Sequence, residues 1–189
     1  YITSKTSPVK IGGKSYESIW LDKDDNSLVR VIHQRKLPYK FEIVTLTSVE
    51  EVYNAISDMT LRGAPLIGAA GAFGMYFAAM EAGSKTKLKE HMRNAARFLS
   101  SSRPTAVNLD WALKQQLDRL EGTDSRDKMV EICKKTALDI RSQEIENCRK
   151  IGIVGLPLIE EISKKKGGGR VNILTHCNAG WLACVDYGT

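Results

Sequence analysis

The sequence predicts an α/β protein in three parts. Residues 1–46 form a β-hairpin region, residues 47–163 a helical bundle, and residues 164–189 a linker loop with the first strand of a Rossmann-like parallel-sheet domain. Short β-branched runs separated by turn residues predict the first part. Apolar residues at helical spacing predict the second. The third is indicated by a short apolar run followed by small and polar residues, which is typical of a strand-to-helix turn.

Three short strands are predicted in the first part. They cover Ser18–Leu21, Leu28–Ile32 and Phe41–Leu46. The acidic and polar tract Asp22–Ser27 separates the first two strands and has the composition of a hairpin connection. We therefore expect an antiparallel sheet in this region.

The helical part begins at a cap. Ser48 is followed by acidic residues and by apolar residues at helical spacing, which predicts a helix to about Thr60. A second helix should begin at Pro65, because the missing N–H of a first-turn proline costs nothing there. It is predicted to run to about Ala82.

This second helix carries no charge between Ala64 and Met80. It is shorter than the ~20 residues that a membrane span needs, so a buried central helix is expected rather than a membrane helix. Gly68, Gly71 and Gly74 recur every three residues. This spacing predicts a face on which a neighbouring backbone approaches closely.

Apolar periodicity predicts four further helices, with Cys133 and Cys148 as core residues. Their expected ranges are Lys85–Ser100, Val107–Leu120, Arg126–Gly152 and Gly155–Lys164. The lysine and glycine residues that follow predict a surface loop before the last strand.

Composition and charge exclude some classes of function. The 189 residues carry a formal charge of +6, with 42% hydrophobic and 26% charged residues, which are ordinary globular values. The 28 basic residues are spread along the chain, and the densest run, Lys164–Lys166, lies before a glycine-rich loop. We expect a solvated loop there and no nucleic-acid interface.

The four cysteines form no Cys-x-x-Cys pair. Neither disulfides nor zinc are therefore favoured, and a cytoplasmic location is expected, with the nucleus open in a eukaryotic host. Neither a metal-ligand spacing nor a Gly-x-Gly-x-x-Gly motif appears, so no metal or organic cofactor is expected. The first residue, Tyr1, is not an initiator Met, so a few residues are expected to precede it. A lone parallel strand at the far end needs neighbours, so we expect about half of a functional protein.

Cys177 is the candidate catalytic residue. It follows the apolar run Val171–Leu174, and ligands bind at the carboxyl ends of strands in doubly wound sheets. Backbone N–H groups and a helix N-terminus at that position favour anions, including a thiolate. From the residues alone, a packed core thiol remains the alternative for Cys177, and Cys184 is interpreted as a packing residue.

Two arginines stand at predicted helix entrances. Arg62, with Gly63 and Ala64, places a guanidinium beside free backbone N–H groups, which suits a phosphate. Arg103 precedes another helix, and two such arginines can converge on one anion. A structural turn is the alternative for both positions.

Three motifs together resemble the 5-methylthioribose-1-phosphate isomerases of methionine salvage, which share a family with regulatory subunits of translation initiation factor 2B. They are Leu61–Gly68, Ser102–Leu109 and Ile173–Gly180, and the resemblance runs from about Val29 to Thr189.

The resemblance implies aldose–ketose isomerisation of a sugar phosphorylated on its anomeric carbon. It implies substrate binding by Arg62, Gly63, Ala64 and Arg103, with Cys177 as base or transition-state stabiliser. It also implies a homodimer without a cofactor, and a general acid aspartate in the other half of the protein. Nearness to Cys177 does not make Asp186 that acid.

Three alternatives stay open. A non-catalytic regulatory subunit of the translation-initiation exchange factor should have lost the cysteine and arginine motifs, whereas Cys177, Arg62 and Arg103 are present. A ribose-1,5-bisphosphate isomerase would need a further cation for its second phosphate. A cysteine hydrolase would need a histidine base, and the sequence places none for it.

Overall fold

The computed structural model describes residues 10–83 and 87–189. It is a mixed α/β structure in which antiparallel strands precede five helices. A two-stranded hairpin, β1 (Lys10–Ile11) with β2 (Lys14–Ser15), opens the described chain. The overall α/β class is therefore confirmed.

A three-stranded antiparallel sheet follows in the order β3–β4–β5. Its strands are β3 (Ile19–Leu21), β4 (Val29–Ile32) and β5 (Ile43–Leu46), so each predicted strand is confirmed to within two residues. The middle strand pairs on both sides, because Val31 lies opposite Ile19 and opposite Val44. Ile19 and Val31 are completely buried, and the sheet therefore packs one face on the helices.

Helix α1 (Val49–Ser57) starts where its cap predicts. The Ser48 hydroxyl accepts the N–H of Glu51 at 3.2 Å, and the Glu51 carboxylate accepts the N–H of Thr47 at 2.6 Å. These bonds satisfy N–H groups that have no partner inside the helix. The helix ends before the expected Thr60, because the Asp58 carboxylate accepts the Thr60 N–H at 2.8 Å and competes with the helical pattern.

Helix α2 (Ala64–Glu81) is the centre of the bundle and contacts the four other helices. Its prediction as a buried helix is confirmed, and the glycine face is where neighbours approach. A Cβ added to Gly68 would lie 2.9 Å from the carbonyl oxygen of Asn108, and one added to Gly71 would lie 2.4 Å from Cδ1 of Leu109. A side chain at Gly68 would therefore collide with the backbone of the neighbouring chain, and one at Gly71 would displace the Leu109 side chain.

Three helices surround α2: α3 (Leu88–Ser101), α4 (Val107–Arg119) and α5 (Arg126–Lys165). Predicted positions for α3 and α4 are confirmed, except that the expected start at Lys85 lies outside the described residues. Gln116 of α4 donates its side-chain amide to the carbonyls of Ala72 and Cys133, at 2.9 and 3.0 Å. One buried amide thus joins α4 to α2 and α5.

The expected division of the last helical stretch into two helices is wrong. Helix α5 continues for 40 residues, with Pro157 inside it. A proline removes one backbone N–H, but its fixed φ is close to the helical value, so the turns on both sides can persist. Beyond Cys148 the helix leaves the core, and Ile151, Val154 and Leu158 are exposed on one face.

The predicted buried strand Val171–Leu174 does not form in this chain. These residues form no strand, and the side chains of Ile173 and Leu174 are 70% and 98% exposed. A strand needs a hydrogen-bonded neighbour, and no strand in the described part of the chain lies beside it. The helix expected near Trp181 is a single 3-10 turn, Trp181–Ala183.

Two kinds of feature are absent from the described residues. Helices with the length and apolarity to cross a membrane are absent among them. Nor do residues 10–83 and 87–189 contain a group of three or more histidine, cysteine, aspartate or glutamate side chains arranged to hold a metal ion.

Candidate active site

The segment of residues 181–185, here called the docked segment, lies against the three-stranded sheet. Ser18 donates its N–H to the carbonyl of Val185 at 2.9 Å and its hydroxyl to the carbonyl of Trp181 at 3.3 Å. The side-chain amide of Gln34 donates to the carbonyl of Leu182 at 2.6 Å. Ser18 and Gln34 are both buried, so these hydrogen bonds are shielded from water.

The docked segment also touches the entrance of α2. Gly63 precedes the helix with φ 115°, and a Cβ on it would lie 2.3 Å from Cα of Ala183. Both the backbone angle and the close approach require glycine. The predicted entrance at Gly63 is therefore fixed by contact with a residue 120 positions later in the chain, and sequence reasoning missed that contact.

The turn that carries Cys177 lies beside the same entrance. The side-chain amide of Asn178 donates to the carbonyl of Arg62 at 3.3 Å. Cys177 has φ 66°, in the left-handed region, and its thiol is exposed. The structure thus brings together Cys177 and the Arg62–Ala64 turn, which are far apart in sequence.

The entrance of α2 has the properties of an anion site. The Arg62 side chain is exposed, and no side chain caps the helix. The first-turn N–H groups of a helix have no intrahelical partners, and the aligned peptide dipoles add partial positive charge there. The exposed Arg62 and the uncapped N-terminus of α2 therefore lie next to the turn that Asn178 joins to Arg62.

Arg103 lies before the neighbouring helix entrance. Its carbonyl accepts the N–H of Ala106 at 2.9 Å, which closes a turn before α4. Contact between Gly68 and Asn108 puts the second turn of α2 beside the first turn of α4. Nη1 of Arg103 is buried without a hydrogen-bond partner among the described residues. A buried guanidinium nitrogen of this kind calls for an acceptor, and a phosphate oxygen is one.

The other three cysteines are packing residues, as expected. Burial raises the pKa of Cys133 to about 12. Burial, together with the neighbouring Cys148 thiol, raises the pKa of Cys184 to about 12. These buried thiols stay protonated near neutral pH, whereas Cys177 alone of the four cysteines in the sequence is exposed.

Asp186 lies next to the docked segment but is not in the site. Its side chain is buried and accepts the N–H of Tyr187 at 2.8 Å. Burial raises the pKa of its carboxyl group, and the nearby Arg141 opposes that shift. None of these contacts directs the carboxyl group to Cys177.

Comparison with known proteins decides the family. Residues 60–185 match the model of the Initiation factor 2 subunit family. The chain belongs to this family. Its curated relatives include the methylthioribose-1-phosphate isomerase of Desulfatibacillum aliphaticivorans, which is 47% identical over 181 residues, covering 96% of this chain and 49% of the relative. The enzyme of that name from Escherichia coli O45:K1 is 42% identical, with 96% and 47% covered.

Two solved structures of family members are similar in fold. The 5-methylthioribose 1-phosphate isomerase of Pyrococcus horikoshii OT3 gives a TM-score of 0.77 at 36% identity, covering 93% of this chain and 47% of that one. The translation initiation factor eIF-2B subunit delta of A. fulgidus gives 0.75 at 36% identity, covering 92% and 48%. The resemblance found in the sequence is confirmed, and the chain spans about half the length of the curated relatives it matches.

Proposed function

We propose that the full-length protein converts 5-methylthioribose 1-phosphate to 5-methylthioribulose 1-phosphate in methionine salvage. The names of the curated relatives support this activity over the alternatives. The single observation that carries it is the hydrogen bond from Asn178 to the carbonyl of Arg62. That bond joins the residue after the exposed Cys177 to the start of α2, which supports a site shared by the thiol and the phosphate.

In this proposal the sugar phosphate binds through its phosphate. Arg62 and Arg103 supply positive charge, and the backbone at Gly63 and Ala64 supplies N–H donors. Charge-assisted hydrogen bonds of this type are roughly twice as strong as neutral ones. The unpartnered Nη1 of Arg103 supports its assignment to this role. No cofactor or metal is proposed.

The phosphate on C1 blocks simple ring opening to an aldehyde. The bond between C1 and the ring oxygen must therefore break with assistance, and an acid must protonate the ring oxygen as it leaves. Hydrogen then moves from C2 to C1, and the C2 hydroxyl becomes the ketone by giving up its proton, which replaces the proton that the acid gave to the ring oxygen. In a proton-transfer route Cys177 takes the C2 proton, whereas in a hydride route its side chain stabilises the developing charge. We assign the acid to the other half of the protein, as the resemblance implies.

The test is turnover by the natural full-length protein. We expect conversion of the substrate by wild type and a loss of several orders of magnitude in kcat for Cys177→Ser and Cys177→Ala. Arg103→Ala should raise KM, because it removes a phosphate contact. Arg97→Ala is the matched control, since Arg97 lies on the surface of α3, where its guanidinium contacts Asn94. Full activity of the Cys177 variants would refute the catalytic assignment.

A second candidate function is that of a regulatory subunit of the translation-initiation exchange factor. The TM-score of 0.75 to the A. fulgidus protein is the observation that favours it. An inert wild type that binds a translation factor would support this candidate. Turnover of the sugar phosphate would exclude it as the sole function.

We further propose that Val171–Leu174 is the first strand of a Rossmann-like sheet in the full-length protein. In this proposal the chain divides into three parts, with boundaries at residues 46/47 and 163/164. The exposed side chains of Ile173 and Leu174, and those of Ile151, Val154 and Leu158 on α5, support this by offering apolar surface to cover. Amide exchange should be slower at residues 172–174 in the full-length protein than in residues 1–189 alone. Equal exchange would refute the assignment.

We propose that the protein is a homodimer in the cytoplasm, as the resemblance implies. All four cysteines are free thiols, which supports a reducing compartment. Sedimentation of the full-length protein tests the oligomeric state, and a monomer at micromolar concentration would refute the dimer.

A further inference from the structure

Gln34 joins the two chain segments that form the candidate site. It is the first residue of a 3-10 turn after β4 and is only 2% exposed. Its backbone N–H donates to the carbonyl of Thr60 at 3.0 Å, two residues before Arg62. Its side-chain amide donates to the carbonyl of Leu182 at 2.6 Å, five residues after Cys177. One buried residue therefore contacts the chain just before Arg62 and the chain just after the turn that carries Cys177.

Gln34 is itself held rigidly. The preceding residue, His33, donates its N–H to the carbonyl of Glu42 at 2.9 Å, which extends the pairing of β4 with β5. The Lys36 and Leu37 N–H groups close the turn onto the carbonyls of His33 and Gln34, each at 3.2 Å. The side-chain amide thus projects from a fixed backbone, which lets it define a distance between the segments that it touches.

Ser18 contacts the docked segment differently. Its hydroxyl and N–H reach Trp181 and Val185, and its carbonyl accepts the N–H of Ile32. These bonds attach the docked segment to the sheet but do not reach the Thr60–Arg62 segment. Of the two buried polar residues beneath the docked segment, Gln34 is the one that spans both halves of the site.

We propose that Gln34 is a positioning residue that sets the Cys177 turn against the Arg62–Ala64 phosphate turn. This inference rests on the proposed function, because its consequence is read in turnover. A misplacement of ~1 Å can cost ~100-fold in rate even when the chemical groups are all present. Loss of the Gln34 amide therefore lowers kcat more than it raises KM, since each half of the site keeps its own contacts.

The test compares Gln34→Met with Gln116→Met in the natural full-length protein. Gln116 is the matched control, because it is also a buried glutamine whose amide joins separate elements, here through Ala72 and Cys133. Both variants lose buried hydrogen bonds and should lower the melting temperature. We expect Gln34→Met to lower kcat at least tenfold with less than a threefold change in KM, and Gln116→Met to leave kcat within threefold of wild type.

The outcomes separate this proposal from the proposed function. If wild type turns over and folded Gln34→Met keeps kcat within threefold, the positioning role is overturned. If Gln34→Met does not fold, Gln34→Asn decides, since it keeps the amide but is one methylene too short; an unchanged kcat again overturns the role.

If wild type is inert, the isomerase proposal fails, and alkylation of Cys177 by iodoacetamide decides the positioning role. A rate at Cys177 that changes at least threefold in Gln34→Met but not in Gln116→Met supports the role. Equal rates in the two variants overturn it. Peptide mapping assigns the label to Cys177 rather than to the buried cysteines.

Discussion

Replacement of Gly63 by alanine tests whether the docked segment packs against the entrance of α2. The new Cβ would lie 2.3 Å from Cα and 2.4 Å from the carbonyl oxygen of Ala183, which are backbone atoms and cannot rotate away. The φ of 115° adds strain for any residue with a Cβ. The substitution therefore meets two independent penalties.

Both penalties can be scaled. A non-glycine residue in a sparsely populated backbone region costs ~1–3 kcal/mol, and overpacking typically costs ~1–3 kcal/mol more. Since a domain of this size loses about 2–4 °C in Tm per kcal/mol, Gly63→Ala should lower Tm by roughly 5–20 °C. Relief by undocking residues 181–185 should also speed amide exchange there.

Gly122→Ala is the matched control. Gly122 also has positive φ, 77°, but a Cβ added to it meets nothing within 4 Å. It therefore carries the backbone strain without the clash, and should lower Tm by the smaller amount. Thermal unfolding and amide exchange of both variants give the answer. Equal losses of Tm, with unchanged exchange at residues 181–185, would refute the docking of the segment against Gly63.

Three further predictions follow from charge and burial. Hydrogen bonds from two lysine ammonium groups lower the pKa of Glu42 to about 2, so its stabilising effect is present above pH 4.5 and lost as pH falls through 2. The Tm difference between wild type and Glu42→Gln should shrink over that range, and a constant difference would contradict this prediction. Iodoacetamide at pH 8 should label Cys177 at least 100-fold faster than Cys133, because the Cys133 thiol is buried and protonated. Peptide mapping measures both rates, and comparable rates would contradict the assignment of Cys177 as the exposed thiol. Inorganic phosphate should slow the labelling of Cys177 in wild type and Arg97→Ala but not in Arg103→Ala, and equal protection in all three would remove Arg103 from the anion site.

Local signals in the sequence predict much of the fold. The cap at Ser48, the proline at the start of α2 and the glycine face of that helix each act within a few residues, and the structure confirms each one. The division expected between Gly152 and Gly155 shows the limit of such signals. Glycine is unfavourable inside a helix, but whether a helix breaks depends on the turns around it, and here α5 continues.

The candidate site was predicted in its parts but not in its assembly. The motif residues Cys177 and Arg62 are visible in the sequence, and the turns that carry them meet in the structure. The residues that hold them together are not visible, because the Gln34–Leu182 hydrogen bond joins positions 148 residues apart and leaves no periodic pattern. The strand predicted at Val171–Leu174 does not form for a related reason, since strand formation depends on neighbouring strands that a local sequence pattern cannot supply.

The sheet at the start of the chain therefore helps to position the segment that follows Cys177, although the two are far apart in sequence. Ser18 and Gln34, which lie just outside its strands β3 and β4, hold the docked segment, and the docked segment contacts Gly63 at the entrance of α2. Exposed turns such as the one that carries Cys177 have few contacts of their own, so their position must be set by what anchors their ends. Asn178 is bonded to Arg62 and Leu182 to Gln34, so the chain that follows Cys177 is anchored at two points in different parts of the fold. Changes in the sheet should then alter reactivity at Cys177 without contacting it.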